Sequence, residues 1–239
     1  MNIIYDQWLS EILKRKAYKI EVDNHFIENK GQQIVKDLQS KKVFLYSKVP
    51  VESVSLIEFL EKLRFHLIDT NIVLRKPVSS RHKFSGNALL RFACPDDENQ
   101  VVELARRSFT FSRFHFDKNF PVDVANNIKA EWVRGYFTGK RGKYMVVALA
   151  DKIVTGFLQL LKNDSGILTI DLIAVEKTYR KKGVASDIIA YAEQNCQKIN
   201  QIKVGTQLAN VPSMGLYERL GFRVTEAYYV FHYHSSKIG

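Results

Sequence analysis

Residues 167–175, Ile-Leu-Thr-Ile-Asp-Leu-Ile-Ala-Val, form an apolar run that passes through a basic loop and opens at once into a helical pattern starting near Val184. A run this apolar reads as a strand buried in a sheet, so the chain has to build an α/β layer around it. The first turn of the following helix leaves backbone N–H groups unpaired, with the positive end of the helix dipole behind them. Gly183 lets the backbone approach a ligand closely, Ala185 keeps the first turn uncluttered, and Arg180, Lys181 and Lys182 add positive charge. The guest that suits such an end is a pyrophosphate. No Gly-Lys-Ser/Thr follows, so this is not a P-loop, and the three glycines of a dinucleotide-binding turn are absent.

Patterning elsewhere fills in a mixed α/β order. An amphipathic stretch over 5–13, a helix near 32–38, a strand over 43–46, a helix over 54–63 and a strand over 66–74 precede a break at 77–87, where Pro77, Ser79, Ser80, Ser85 and Gly86 interrupt the apolar pattern. The break divides the chain into residues 1–80 and 88–239. Beyond it the spacing predicts a strand at 89–93 and a helix started by Pro95-Asp96-Asp97 and ending near Phe109. An irregular aromatic and basic segment over 111–120 follows, then a helix over 122–137. Strands at 144–150 and 153–161 flank Asp151-Lys152 as a hairpin, and Asn163-Asp164-Ser165-Gly166 turns into the strand 167–175. A helix over 184–197, a strand over 202–206, a helix over 211–220 and a strand over 224–232 complete a mixed sheet with helices on both faces. Residues 59–65, Phe-Leu-Glu-Lys-Leu-Arg-Phe, echo residues 216–222, Leu-Tyr-Glu-Arg-Leu-Gly-Phe, as a partial copy of the second unit within the first would.

Composition excludes several classes. Hydrophobic residues at 46% are too many for a disordered chain. No apolar run approaches the roughly 20 residues of a membrane span, and Asp6 and Glu11 interrupt what would be a signal peptide, so a cytoplasmic protein is expected. Cys94 and Cys196 are too few for a disulfide framework and lack metal-ligand spacing, so the reading needs no metal. The net charge of +11 attracts anions, phosphorylated small molecules among them.

Two motifs in order make the reading specific. Arg180-x-x-Gly183-x-Ala185 resembles the acetyl-CoA loop of the GCN5-related N-acetyltransferase (GNAT) superfamily. Asn210, Ser213, Tyr217, Gly221 and Phe222 resemble its second signature, in which an Asn contacts the cofactor and a Tyr on the next helix serves as general acid. The resemblance covers about 89–234. Ser112-Arg113-Phe114-His115, Val204-Gly205-Thr206-Gln207 and the Tyr-rich end 228–234 are similar to the subgroup of dTDP-fucosamine acetyltransferase, which acetylates the amino group of a nucleotide-linked aminosugar. Ala185 replaces the commoner Gly, and Ser213 the usual Ala.

The resemblance implies a GNAT fold, a mostly antiparallel sheet flanked by helices, with a truncated GNAT-like α/β unit at the N-terminus. It implies acetyl-CoA held by Ile173, Ala174, Val175, Arg180, Lys181, Lys182, Gly183, Val184, Ala185, Ser186, Asn210 and Tyr217. Transfer is then direct, with oxyanion donors near Ile173 and Val175 and Tyr217 protonating the leaving thiolate. Asp69, Asp171 and His115 are the candidates for taking the amine proton. Arg113, Phe114 and Lys118 are expected on the substrate side. The partner is a small molecule rather than a nucleic acid, since neither a recognition helix nor paired aromatic motifs of an RNA-binding sheet stand out. A homodimer is left open. Two alternatives stay open: a GNAT enzyme acting on a protein or another small amine, and a non-catalytic module that binds coenzyme A or nucleic acid.

Overall fold

Alternating apolar residues on successive strands bring distant parts of the chain into one layer. The computed structural model describes residues 2–23, 31–78 and 83–235. The described strands are β1 (Asn2–Tyr5), β2 (Lys16–Glu21), β3 (Val43–Pro50), β4 (His66–Pro77), β5 (Leu89–Phe92), β6 (Tyr144–Ala150), β7 (Ile153–Lys162), β8 (Ile167–Val175), β9 (Gln201–Gln207) and β10 (Arg223–His234). They form a ten-stranded sheet in the order β1-β2-β3-β10-β4-β9-β8-β7-β6-β5. Pairs β2/β3 and β8/β9 are parallel and the others antiparallel.

The sheet runs across the break at 77–87: β4 lies between β9 and β10, and β10 reaches on to β3. Residues 79–82 of that break lie outside the described residues.

The helices are α1 (Gln7–Leu13), α2 (Gly31–Gln39), α3 (Val54–Lys62), α4 (Glu98–Ser108), α5 (Arg113–Phe116), α6 (Val122–Phe137), α7 (Val184–Asn195) and α8 (Val211–Arg219). On one face, Ile188, Ile189 and Ala192 of α7 pack on Val146, Leu158, Leu160 and Val204. On the other, Val101, Leu104 and Ala105 of α4 and Val133 of α6 pack on Met145, Val147 and Phe157. A third core joins the N-terminal segment to the middle of the chain: Leu9 and Leu13 of α1 and Phe44 of β3 meet Phe114, Phe120, Ala125 and Ile128. Among the described residues no helix is long and apolar enough to cross a membrane.

Most predicted elements are present, and the differences have local causes. The stretch 5–13 divides, because Asp6 accepts the Leu9 amide at 2.9 Å and starts α1, leaving Tyr5 in the edge strand β1. Strand β2 buries Ala17 and Ile20, three residues apart, so its pattern lacks the alternation that would reveal it. The segment 111–120 contains one turn of helix, capped by Ser112. Asp151 and Lys152 both adopt positive φ (49° and 66°), which gives the tight hairpin without an Asn-Gly pair.

The internal echo has the same local geometry in both places. The Phe65 amide donates to the Leu60 carbonyl and the Phe222 amide to the Tyr217 carbonyl, each at 3.0 Å. Between them Arg64 (φ 61°) and Gly221 (φ 87°) hold the left-handed conformation that ends a helix. Phe65 and Phe222 are both buried, and each helix leads into a long strand, β4 or β10, which pair with one another. Leu60 stands where the segment 216–222 has Tyr217. A left-handed Arg costs about 1–2 kcal/mol, part of which Gly would lose again to chain entropy. Arg64→Gly is therefore expected to raise the melting temperature by about 1–4 °C, and Gly221→Ala to lower it by a similar amount. Thermal unfolding followed by circular dichroism checks both; a drop for Arg64→Gly would refute the cap.

Candidate active site

A register shift creates the site. On one side β8 pairs with β7 from Lys162↔Leu168 to Gly156↔Val175, but Gln159 pairs with Leu172 and Leu160 with Ile170, so Asp171 is an extra residue. Such a bulge bends a strand. On its other side β8 pairs with β9 only over Ile167–Ile170, opposite Gln201–Val204. Past that point the two strands part, while β9 stays paired with β4 as far as Asn71↔Gln207. The edge of β8 from Asp171 to Ile173 and the β9 segment Val204–Gln207 line the cleft of about 340 Å³ that results.

Asp171 is fully engaged in holding the bulge. Its carboxylate accepts Arg141 Nε and Nη2, each at 2.7 Å, and Trp132 Nε1 and Gln159 Nε2, each at 3.0 Å. Asp69 lies in the same cleft with opposite properties. It is buried, and among the described residues its Oδ2 has no hydrogen-bond partner. Burial raises its pKa above the ordinary carboxylate value, opposed by hydrogen bonds from Gln207 and the Thr70 backbone and by Arg113 and Lys48. An unpartnered oxygen of that kind is an acceptor for a proton.

Tyr217 on α8 also lines the cleft, packed edge to face against Phe222 at 5.3 Å between ring centroids. Among the described residues its hydroxyl has no hydrogen-bond partner, and burial raises its pKa, which keeps it a proton donor. Asn210 caps α8, accepting the Ser213 amide at 3.3 Å, and both residues line the cleft.

The loop after β8 adopts a geometry suited to an anion. Lys181 (φ 62°) and Gly183 (φ 84°) are left-handed, and the amides of residues 182–186 meet no acceptor among the described residues. A Cβ on Gly183 would come within 2.9 Å of Ser85 Cβ, so both conformation and space call for glycine. Residues at the end of the break at 77–87 brace the loop. The Ser85 amide donates to Asp187 Oδ1 and Oδ2 at 3.2 and 3.0 Å, and Asn87 Nδ2 donates to the Lys182 carbonyl at 2.7 Å. Arg180 Nε donates to the Val175 carbonyl at 2.9 Å, tying the loop to the end of the strand. Free amides at the start of a twelve-residue helix, with Arg180, Lys181 and Lys182 exposed beside them, fit a diphosphate.

Of the substrate-side candidates, Arg113 and Phe114 line the cleft and Lys118 does not; it is exposed. Arg113 lies 4.0 Å over the Tyr46 ring. His115 is turned away, held by Ser112 Oγ at 2.6 Å and Asn126 Oδ1 at 3.1 Å, and burial lowers its pKa. The structure thus gathers Asp69, Asp171, Tyr217, Asn210, Ile173, Arg113 and Phe114 around one opening and leaves His115 and Lys118 outside it.

Sequence reasoning missed several residues in that opening. Tyr46, Lys48 and Asn71 come from the N-terminal segment, and Lys129 and Trp132 from α6. It also missed a buried cluster behind Arg113, where Asp117 Oδ2 accepts His232 Nδ1 and His234 Nε2, each at 2.7 Å. Residues 232 and 234 share one face of β10, so the His-x-His spacing was the available signal. Burial pushes the His232 pKa down to about 3, so that imidazole is neutral. Its contact with Asp117 is a hydrogen bond rather than an ion pair. Arg15 Nη2 donates to His234 Nδ1 at 2.6 Å, and that guanidinium makes the cluster a poor place for a metal cation, although its donor atoms lie within 4.8 Å of one another.

Comparison with known proteins agrees with this geometry. A family model described as an acetyltransferase (GNAT) domain matches residues 108–234, more than half of the chain. The spore coat polysaccharide biosynthesis protein SpsD of Bacillus subtilis (strain 168) is 29% identical over 236 residues, covering 94% of this chain and 80% of that protein. A GCN5-related N-acetyltransferase from Sphaerobacter thermophilus superposes with a TM-score of 0.64 at 12% identity, covering 98% of this chain and 76% of the other. A tandem GNAT protein from the clavulanic acid biosynthesis pathway gives 0.65 at 11%, covering 92% and 75%. At such identities the two structures speak for the fold. With the matched family, the parted strands and the free-amide loop all in place, the chain belongs to the GNAT acetyltransferase family, N-acetyltransferases that use acetyl-CoA.

Proposed function

We propose that this enzyme transfers acetyl to the amino group of a nucleotide-linked aminosugar. The observation that carries the reading is the cleft at the parted strands, whose far wall is supplied by Tyr46, Lys48, Asp69 and Asn71 of the N-terminal segment. A polysaccharide biosynthesis protein similar over 94% of the chain supports a sugar acceptor. The cationic lining supports one that carries phosphate.

In this proposal a neutral amine attacks the thioester carbonyl directly. Holding both partners in one cleft can lower the barrier by about 7–11 kcal/mol relative to a bimolecular encounter. Backbone N–H groups near Ile173 and Val175, on the edge that β9 leaves free, stabilise the oxyanion. Asp69 takes the amine proton through its unpartnered oxygen, and Tyr217 gives its proton to the departing thiolate. Acetyl-CoA lies along β8 with its diphosphate on the amides of residues 182–186. Asp171, occupied by four donor groups, acts on the reaction through the shape of β8.

The base assignment is tested by separating the two aspartates. Asp69 must be ionised to accept a proton, so kcat/KM falls as pH drops through its raised pKa. Asp69→Asn is expected to lower kcat by about 10²–10⁴-fold, abolish that acid limb and leave the melting temperature nearly unchanged. Asp171→Asn strands a half-buried guanidinium and is expected to lower the melting temperature by several degrees. An acid limb that persists in Asp69→Asn overturns the assignment.

Tyr217→Phe is expected to lower kcat by about 10²-fold or more while the Kd for acetyl-CoA stays within twofold. Unchanged turnover removes Tyr217 from the reaction. A panel of amines assayed for coenzyme A release tests the acceptor. Preferential turnover of an N-terminal peptide, rather than a thymidine or uridine diphosphate aminosugar, would replace the sugar reading by a protein acceptor.

A further inference from the structure

Lys129 is a buried lysine in the cleft wall with an incomplete environment. Its ammonium lies 5.1 Å from the Phe109 ring centroid and 4.8 Å from that of Trp132. Among the described residues it makes neither a hydrogen bond nor an ion pair. The ring faces offset only part of the cost of taking an ammonium out of water, and buried charges are otherwise paired.

Arg113 lines the same cleft and also lacks a carboxylate partner among the described residues. It is held from behind. Its Nη1 lies 3.5 Å from Nε2 of the neutral His232, whose Nδ1 donates to Asp117, and its guanidinium stacks on Tyr46. This arrangement fixes the direction of the guanidinium without cancelling its charge. The two cations are near enough to disfavour one another: burial first, and Arg113 next, push the Lys129 pKa down to about 8. Asp171 favours the Lys129 charge, but its carboxylate is already paired with Arg141, a further cation that disfavours it. Lys48 adds a third cation to the lining. A cleft wall that holds a buried ammonium and a half-buried guanidinium, neither in an ion pair among the described residues, suits an anion brought in from outside.

We infer that Lys129 and Arg113 form a phosphoryl-binding site for the acceptor, distinct from the coenzyme A diphosphate loop at residues 180–186. The inference rests on the nucleotide-linked acceptor proposed above, and assigns the part of the cleft that recognises its diphosphate. A phosphoryl group suits the site better than a carboxylate because it offers oxygens to both cations and up to two charges for them to neutralise.

The test uses the full chain saturated with coenzyme A, so that the loop at 180–186 is filled, and titrates it with thymidine diphosphate in a calorimeter. Wild-type protein is expected to bind. Lys129→Met is expected to raise the Kd at least tenfold while the Kd for coenzyme A stays within twofold. Lys129→Arg should keep the thymidine diphosphate Kd within about threefold. Lys140→Met removes the same charge from an exposed position and should change neither constant. Without ligand, Lys129→Met is expected to melt at or above the wild-type temperature, because it removes an unpaired buried charge. Lys129→Gln gives a second comparison should the Met variant fold poorly.

Absence of binding to the wild type, equal Kd values for Lys129→Met and Lys140→Met, or tighter binding of a hexuronate than of thymidine diphosphate overturns the site. The two readings fail separately. Turnover of a nucleotide-linked aminosugar with an unchanged KM in Lys129→Met removes the site and keeps the function. Lys129-dependent binding of thymidine diphosphate with no turnover of any aminosugar removes the function and keeps the site.

Discussion

The working part of this molecule depends on one carboxylate. Asp171 is the extra residue of a bulge, and an extra residue in a ladder persists only where something holds it. Four donor groups from Arg141, Trp132 and Gln159 do so. Because β8 bends there, its parallel partner β9 is lost after Val204, and the strand presents an unpaired edge to a cavity. Open backbone inside a sheet is normally a liability. In this fold it is the surface on which an extended ligand can lie, and the same bend aims β8 at the loop whose amides are free.

The N-terminal segment is tied into that arrangement by the last strand of the chain. β10 pairs with β3 over Phe44–Pro50 and with β4 over His66–Arg75, while β4 itself pairs with β9. Asp69 and Asn71 therefore reach the cleft on a strand whose neighbours on both sides come from the catalytic part. The core that joins Leu9, Leu13 and Phe44 to Phe114, Phe120 and Ile128 fixes the other side. Loss of packing in this shared core would displace Tyr46 and Arg113 together, since both are set against it.

How much could be read from the residues alone follows from how local each signal is. The loop at 180–185 was legible because strand, turn, glycine and helix are contiguous, and the helix over 122–137 was legible because one face repeats over sixteen residues. Tyr217 and Asn210 were legible through a second contiguous pattern. Strands β1 and β2 were not: β1 is a short exposed edge, and β2 buries residues three apart. The cleft lining was only half visible for a different reason. Lys129 on a helix face looks like any solvated lysine until the fold brings Phe109 to it beside Trp132, one turn on in the same helix. Asp117 becomes significant only when β10, more than a hundred residues later, delivers two imidazoles to it. Asp69 and Asp171 look alike in sequence, and only partner counting separates the satisfied carboxylate from the one with a bare oxygen.

Electrostatics then gives the cleft a direction. The unpaired amides and basic residues of the loop at 180–186 suit one polyanion, and Lys129 and Arg113, with no carboxylate partner among the described residues, line the cleft. The same lining carries the less polar β8 edge at Leu172 and Ile173, the Tyr217 hydroxyl and the carboxylates of Asp69 and Asp171. Two anionic ligands held at these two places would each be anchored by charge. Binding energy realised at remote groups can be used to hold reacting atoms in place. In the proposed transfer a thioester and an amine positioned in this way would react without either being covalently attached to the protein, and the Asp69 oxygen and the Tyr217 phenol would handle the two protons.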